Sequence, residues 1–130
     1  MERPMVRTKD VMDEKLVFID GMATVQEAVN LMKAEGVRSL LVEKRNSGDA
    51  WAIISVRDIV RSVVTKNLGY EQVNVYEIMT KPVLAVPADM DIRYAARLLS
   101  RMGISRAPVE QNGELLGMIT LAGIVMRVPV

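Results

Sequence analysis

The chain has 130 residues, a formal net charge of +1 and hydrophobic side chains at 50 % of its positions. That is a single-domain length with enough apolar material for a core, and its balanced charge gives no field that would gather nucleic acid or an anionic membrane. Cys and His are both absent, which removes disulfide and thiolate chemistry, the commonest metal ligand and the commonest base at neutral pH.

The first apolar run, Leu16-Val-Phe-Ile19, suits a short buried strand. Thr24-Val-Gln-Glu27 is a capping box, and the helix it opens puts Val25, Ala28, Val29 and Met32 on one face before Gly36 ends it. Ser39–Glu43 and Trp51–Ser55 read as paired strands around the polar loop Lys44–Asp49, with a second helix from about Val56 to Lys66. A polar stretch with Gly69 follows, predicted as a linker over 67–75. Val83–Val86 is then predicted as a strand, and Ile92, Ala95, Ala96 and Leu99 as a helix face that ends at Gly103. Pro108–Glu110 and Leu115–Ile119 form a predicted hairpin, because Asn112-Gly113 is a strong turn signal. A final helix begins near Leu121 and is shortened by Pro129. Met32 and Met102, at helical core spacing, are read as core, and Lys44, Arg45 and Lys81 as solvated turn residues.

This order occurs twice. A shift of 67 carries Gly36 onto Gly103, Val11-Met12 onto Ile78-Met79, Ala28 onto Ala95 and Val42-Glu43 onto Val109-Glu110. One fixed offset means two copies of one supersecondary unit. The predicted repeats are 1–66 and 76–130. Each has strand, helix, strand, strand and helix, a mixed α/β fold in which two β-α-β-β-α copies pack through their sheets. Apolar runs such as Trp51–Ile54 are too short to span a bilayer and the amino terminus lacks a signal-peptide core, so a soluble cytoplasmic protein is expected.

The residues that repeat are Val11-Met12 and Ile78-Met79-Thr80, Gly36-Val37 and Gly103-Ile104, and the closing turns Ile54-Ser-Val-Arg-Asp58 and Ile119-Thr-Leu-Ala-Gly123. Through them, and through Ser105-Arg-Ala-Pro-Val109, the chain resembles the tandem cystathionine-β-synthase (CBS) domain pair, or Bateman module, over almost its whole length. The resemblance implies a regulatory module that binds an adenine nucleotide (AMP, ADP or ATP) or S-adenosylmethionine in clefts between the copies, with pseudo-two-fold symmetry and no obligatory cofactor.

Carried over residue by residue, it implies a site at Ser55 and Asp58, with Asp58 taking the ribose hydroxyls and Ser55 the α-phosphate. An acceptor-only carboxylate suits two O–H donors at once. Arg57 and Arg61 lie near enough in sequence to help screen phosphate charge. Ile53 and the strand residues Val83, Leu84 and Ala85 would wall the adenine, with Ser105 and Arg106 at the phosphates. The second cleft would use Leu16, Val17, Arg38, Ser39 and Thr120, but Gly123 stands where the carboxylate belongs. One good site and one weak or empty site are therefore expected. Ser-x-x-Asp is also an ordinary helix start, as are Asp89 and Asp91 before the second long helix.

Two functions stand against each other: a nucleotide sensor read by a separate effector protein, and a structural or docking module whose clefts are vestigial. An enzyme is not expected, because no nucleophile–base pair, phosphate loop, dinucleotide fingerprint or metal-ligand cluster is evident. Nor is nucleic-acid binding, with aromatic residues at 4 % and no basic stripe. Ile59, Val60, Val63, Ile124 and Val125 are expected to expose apolar helix faces that pair two chains into a homodimer.

Overall fold

The computed structural model describes residues 4–128. In chain order its main elements are α1 (Thr8–Val11), β1 (Phe18–Ile19), α2 (Val25–Glu35), β2 (Ser39–Val42), β3 (Ala52–Ser55), α3 (Val56–Ile59), α4 (Val75–Ile78), β4 (Val86–Pro87), α5 (Ile92–Met102), β5 (Arg106–Gln111), β6 (Glu114–Thr120) and α6 (Leu121–Arg127). They divide into two compact units, Val17–Val83 and a second that joins the stretch up to Leu16 with Leu84 onward.

In the first unit, β1 runs parallel to β2 and β2 antiparallel to β3. The Thr24 hydroxyl accepts the Glu27 amide at 3.1 Å to open α2, and Gly36 at φ 66° closes it, a left-handed conformation that costs Gly no Cβ clash. Val25, Ala28 and Met32 of α2 pack with Leu40, Val42, Ala52 and Ile54 of the sheet. The intervening Leu41 and Ile53, paired across β2 and β3, are buried but lie on the opposite sheet face by the two-residue period.

The expected helix over 56–66 starts as α3 and continues through a wider turn at Val60–Val64, where the Thr65 amide reaches back to the Val60 carbonyl at 3.0 Å. Ile59 and Val63, four residues apart on one helical face, lie in the core, contrary to the expectation that they are exposed. The exposed row is Val56, Val60 and Val64 instead.

The stretch expected to be a polar linker carries structure of its own. Tyr70–Gln72 forms a short 3-10 turn, and Val73 and Val75 are buried in the first unit's core. Beyond α4, Thr80 and Ile53 exchange backbone hydrogen bonds and the Val83 amide donates to the Trp51 carbonyl at 2.9 Å. These bonds cover the outer edge of β3, which an open sheet would otherwise leave unpaired. Because Val83 is held there, the strand predicted at Val83–Val86 forms at Val86–Pro87 instead. The strand predicted at Leu16–Ile19 likewise shortens to Phe18–Ile19.

The second unit repeats the plan, with β4 parallel to β5 and β5 antiparallel to β6. Asn112 (φ 54°) and Gly113 (φ 81°) make the tight hairpin turn, as their positive-φ tolerance predicts. This turn is shorter than the Lys44–Asp49 loop, so positions after it correspond at a shift of 65 rather than 67. Val86, Ala95, Leu99, Ala107, Val109 and Ile119 form the core. Met32 is core as expected, but Met102 is 57 % exposed in the last turn of α5.

The leading segment of each repeat is built into the unit of the other repeat. In the first unit, Val75 and Tyr76 donate to the carbonyls of Ala23 and Gly21, and Val25 donates to Val73. In the second, Thr8 and Lys9 donate to Met90 and Ala88, and Ile92 donates to Val6. Each of these bonds is the other's counterpart at the 67-residue shift. The fully buried Thr8 hydroxyl also donates to the Met90 carbonyl at 2.9 Å, which satisfies a polar group that would be costly to bury alone.

Candidate functional site

The Ser55 turn is fixed by its place at the end of β3. Ser39 pairs with Ser55 across the sheet, and the Val56 amide donates to the Arg38 carbonyl at 3.1 Å. The Ser55 hydroxyl accepts the Asp58 amide at 3.3 Å, and Asp58 Oδ2 accepts the Ser55 amide at 2.9 Å and the Ser55 hydroxyl at 3.0 Å. Asp58 is thus a capping residue, as one of the two readings of Ser-x-x-Asp requires. Its other oxygen, Oδ1, accepts the Thr80 hydroxyl at 3.4 Å. An ionised carboxylate has about four lone-pair sites. The cap uses Oδ2, and Oδ1 keeps capacity for further O–H donors beside Thr80.

Thr80 is the residue that spacing alone does not reveal. It stands 22 positions from Asp58 and reaches it only because the 80–83 stretch runs along β3. The available signal was its place in the repeated Ile78-Met79-Thr80 motif.

The second turn has the same backbone. Arg106 pairs with Thr120 across β5 and β6, the Leu121 amide donates to the Ser105 carbonyl at 2.9 Å, and the Thr120 hydroxyl accepts the Gly123 amide at 2.8 Å. The hydroxyl half of the cap is kept and the carboxylate half is missing.

Of the residues assigned to the Asp58 site, Ile53, Ser55, Arg57, Asp58 and Val83 lie in the first unit, and Leu84, Ala85, Ser105 and Arg106 in the second. Of those assigned to the weaker site, Val17, Arg38 and Ser39 lie in the first unit, and Leu16 and Thr120 in the second. Within the units, the sheet registers bring Arg38 and Ser39 beside the Ser55 turn, and Ser105 and Arg106 beside the Thr120 turn.

A separate depression of about 820 Å³ in the first unit is lined by Asp20, Glu43, Lys44, Tyr76, Asp49 and Lys81, among others. There Lys81 meets the Asp49 carboxylate at 2.6 Å, so it is an ion-pair partner rather than a solvated turn residue. The Lys81 hydrogen bond, followed by that of the Arg45 amide, holds the Asp49 carboxyl well below the usual carboxylate range. Lys44 is also engaged, lying 5.0 Å from the Trp51 ring. In the second unit, Asp91 caps α5 through the Arg93 amide at 2.9 Å and pairs with the Arg93 guanidinium at 2.7 Å, which lowers its pKa to about 2. Among the described residues no cluster of three metal-ligating side chains occurs, and no helix is long and apolar enough to cross a membrane.

Two like units, each with a hydroxyl-capped turn after its last strand, define a tandem duplicate of one supersecondary unit. The CBS domain family model matches residues 9–65 and again 75–129, and the chain belongs to that family. An uncharacterised protein of Methanopyrus kandleri, MK0525, is 32 % identical over 107 residues, which is 82 % of this chain and 54 % of that protein. This chain therefore spans about half the length of that relative. The hexameric CBS-CP12 protein of bloom-forming cyanobacteria is similar in structure, with a TM-score of 0.91 and 37 % identity over 95 % of this chain and 68 % of its own. The CBS domain pair of protein MJ0100, solved in complex with 5′-methylthioadenosine and S-adenosylmethionine, shares the fold at a TM-score of 0.81. Its identity is 22 %, and 95 % of each chain is covered.

Proposed function

We propose that this chain is a regulatory module that binds an adenosyl ligand, an adenine nucleotide or S-adenosylmethionine, chiefly at the Ser55–Asp58 turn. The observation that carries the reading is the Asp58 carboxylate itself. Oδ2 is pinned by the cap, which fixes the side chain, while Oδ1 accepts only the long 3.4 Å contact from Thr80 among the hydrogen bonds that define the turn. A carboxylate held in one orientation with an oxygen to spare suits a ribose cis-diol, since its ordering cost is met before the ligand arrives. Ile53 supplies an apolar neighbour for the base, and Arg57 a guanidinium candidate for phosphate, a geometry Lys does not offer. The adenosyl ligands of the MJ0100 pair support the same ligand class.

Regulation requires that the ligand bind two states of the assembly unequally, and a separate effector protein would read the difference. No catalytic role is proposed. The module acts as a homodimer. Its surface for pairing is a groove of about 460 Å³ in the first unit, lined by Val29, Met32, Val56, Val60, Val64 and Tyr70 among others. Val56, Val60 and Val64 are each about half exposed there, and Leu121, Val125 and Met126 present a like row on α6. Light scattering at micromolar concentration should give a dimer mass, and a monomer would contradict this part of the reading.

Isothermal titration calorimetry of the native chain with AMP, ADP, ATP and S-adenosylmethionine tests the ligand. Saturable heat from at least one of them is expected. No heat from any at millimolar concentration would favour the second reading, a docking module with vestigial sites, to which the carboxylate-free Thr120–Gly123 turn already points.

A further inference from the structure

We propose that the depression at the far end of the first unit's sheet is a ligand site separate from the Ser55–Asp58 turn, and that it takes a small aliphatic polyamine in its protonated form.

Its position follows from register. Ile19 and Val42 are parallel partners, so Asp20 and Glu43 come next on the two strands and leave the sheet about 4.8 Å apart, one strand spacing. The Glu43 amide donates to the Ile19 carbonyl at 3.0 Å, which keeps that register to the strand ends. The Ser55 turn stands at the opposite end of β2 and β3, where Ser39 pairs with Ser55. A volume of about 820 Å³ is that of a small-molecule pocket, and every residue lining it belongs to the first unit.

The charges that line it are Asp20, Glu43 and Asp49 against Lys44, Arg45 and Lys81. Each cation is already engaged. Lys81 and Arg45 meet Asp49 at 2.6 and 3.4 Å, and Lys44 lies 5.0 Å from the Trp51 ring. Asp20 and Glu43 have no cationic partner among the described residues, so the unspent charge of the depression is negative. Asp20 is held in place by the Met22 amide, which donates to Oδ1 at 2.8 Å and leaves the second oxygen for a ligand. Met22, Val42, Met79 and the half-exposed Tyr76 ring complete the lining. Aromatic faces and thioethers suit an ammonium on an alkyl chain better than a hydrated metal ion.

The second unit shows the same place satisfied from within. The Tyr76 amide donates to the Gly21 carbonyl, and its counterpart at the 67-residue shift is the bond from Lys9 to Ala88. Lys9 thus stands where the first unit has Tyr76, and Asp89 where it has Met22. Lys9 Nζ meets the Asp89 carboxylate at 3.0 Å, an ammonium supplied by the chain itself. Pro87 replaces Asp20, and the tight Asn112-Gly113 turn replaces the longer Lys44–Asp49 loop that walls the depression. The first unit has an aromatic ring in place of the internal ammonium and two carboxylates without cations, an arrangement that an external ammonium completes. A net charge of +1 gives no general attraction for polycations, so such binding must be local.

The test is isothermal titration of the chain with spermidine at about pH 7, where alkylamines are protonated, and at fixed ionic strength. Saturable binding of one equivalent is expected. Glu43→Gln should weaken it by at least about fivefold, the loss of one ion pair. Tyr76→Lys, which installs the ammonium of the second unit, should weaken it by at least about tenfold. Both side chains are exposed, and matched thermal melts check that the variants fold. No saturable heat from the native chain at millimolar spermidine, binding indifferent to both variants, or displacement by magnesium chloride at the same ionic strength would overturn the proposal. Titration of the same variants with AMP separates this site from the Ser55–Asp58 turn. Their AMP isotherms should match that of the native chain, and a change in AMP binding parallel to that in spermidine binding would contradict a separate site.

Discussion

The Ser55–Asp58 turn and the Thr120–Gly123 turn share a backbone and differ in one carboxylate. Both follow the last strand of a three-stranded sheet, both cap with a hydroxyl, and both are tied to the start of the middle strand, at Arg38 and at Ser105. The cap in the first turn is two-sided, with Asp58 reaching back to the Ser55 amide; in the second only the Thr120 side remains. Duplication therefore kept what the fold needs, the register and the hydroxyl. What diverged is the carboxylate of the turn, Asp58 against Gly123, together with its neighbour, Thr80 in one unit and Asp13 in the other.

The sharpest way to break this correspondence is steric. Gly117→Ala sets a methyl group against the Asp13 backbone and should destabilise the chain by about 1–3 kcal/mol in urea denaturation. The mirror change Ala52→Gly, at a buried strand position of the first unit, should cost only roughly 0.5–1 kcal/mol. Equal costs would mean that the two flanking stretches approach their sheets alike.

The caps come next. Asp58→Ala removes the reciprocal half of a capping box and should lower stability by about 0.5–2 kcal/mol, apart from its effect on ligand. Rewriting the second turn as the first, with Asp13→Thr and Gly123→Asp together, should raise the melting temperature by adding the missing half of the cap, for a gain of about 1 kcal/mol. A drop would show that the second turn cannot accommodate the side chain of the first.

The smallest effect is electrostatic. Hydrogen bonds from Arg93 hold the Asp91 carboxyl at about 2 in the folded chain, below its ordinary value of 3.8. A depressed carboxylate contributes stability above its unfolded pKa, and that contribution fades as pH falls from 3.8 towards 2. Asp49 is depressed in the same sense in the first unit by Lys81. Melting temperatures measured across that window should fall, and less steeply in Asp91→Asn. The exposed Arg93 makes the difference small and salt-sensitive.

Much of this was legible in local sequence. Thr24 and Gly36 bracket α2, the helical spacing of Ile92, Ala95 and Leu99 marks the face of α5, and Asn112-Gly113 sets the hairpin. Each signal acts through its own few residues, as capping, periodicity and turn chemistry do. The two-residue strands β1 and β4 were misplaced because so short a pairing leaves almost no pattern to read. Ile59 and Val63 were grouped with their neighbour Val60 on one face, although residues four apart share a face and adjacent ones do not: Ile59 and Val63 are buried, and Val56, Val60 and Val64 are exposed.

The exchange of leading segments was hidden for another reason. Val73 and Val75 read as parts of a polar connection until their contacts with the first unit's core are known. Asp58 was legible as a motif, but its neighbour Thr80 was not, because their contact is made by chain that returns along β3.

The most direct measurement of the central claim is the dissociation constant of whichever adenosyl ligand binds the native chain most tightly, compared with that of Asp58→Asn. Loss of the charge-assisted hydrogen bonds to a ribose diol predicts a weakening of at least about tenfold, roughly 1.4 kcal/mol or more. Equal constants in a variant that folds normally would show that the Asp58 carboxylate only caps a helix and that the ligand is held elsewhere.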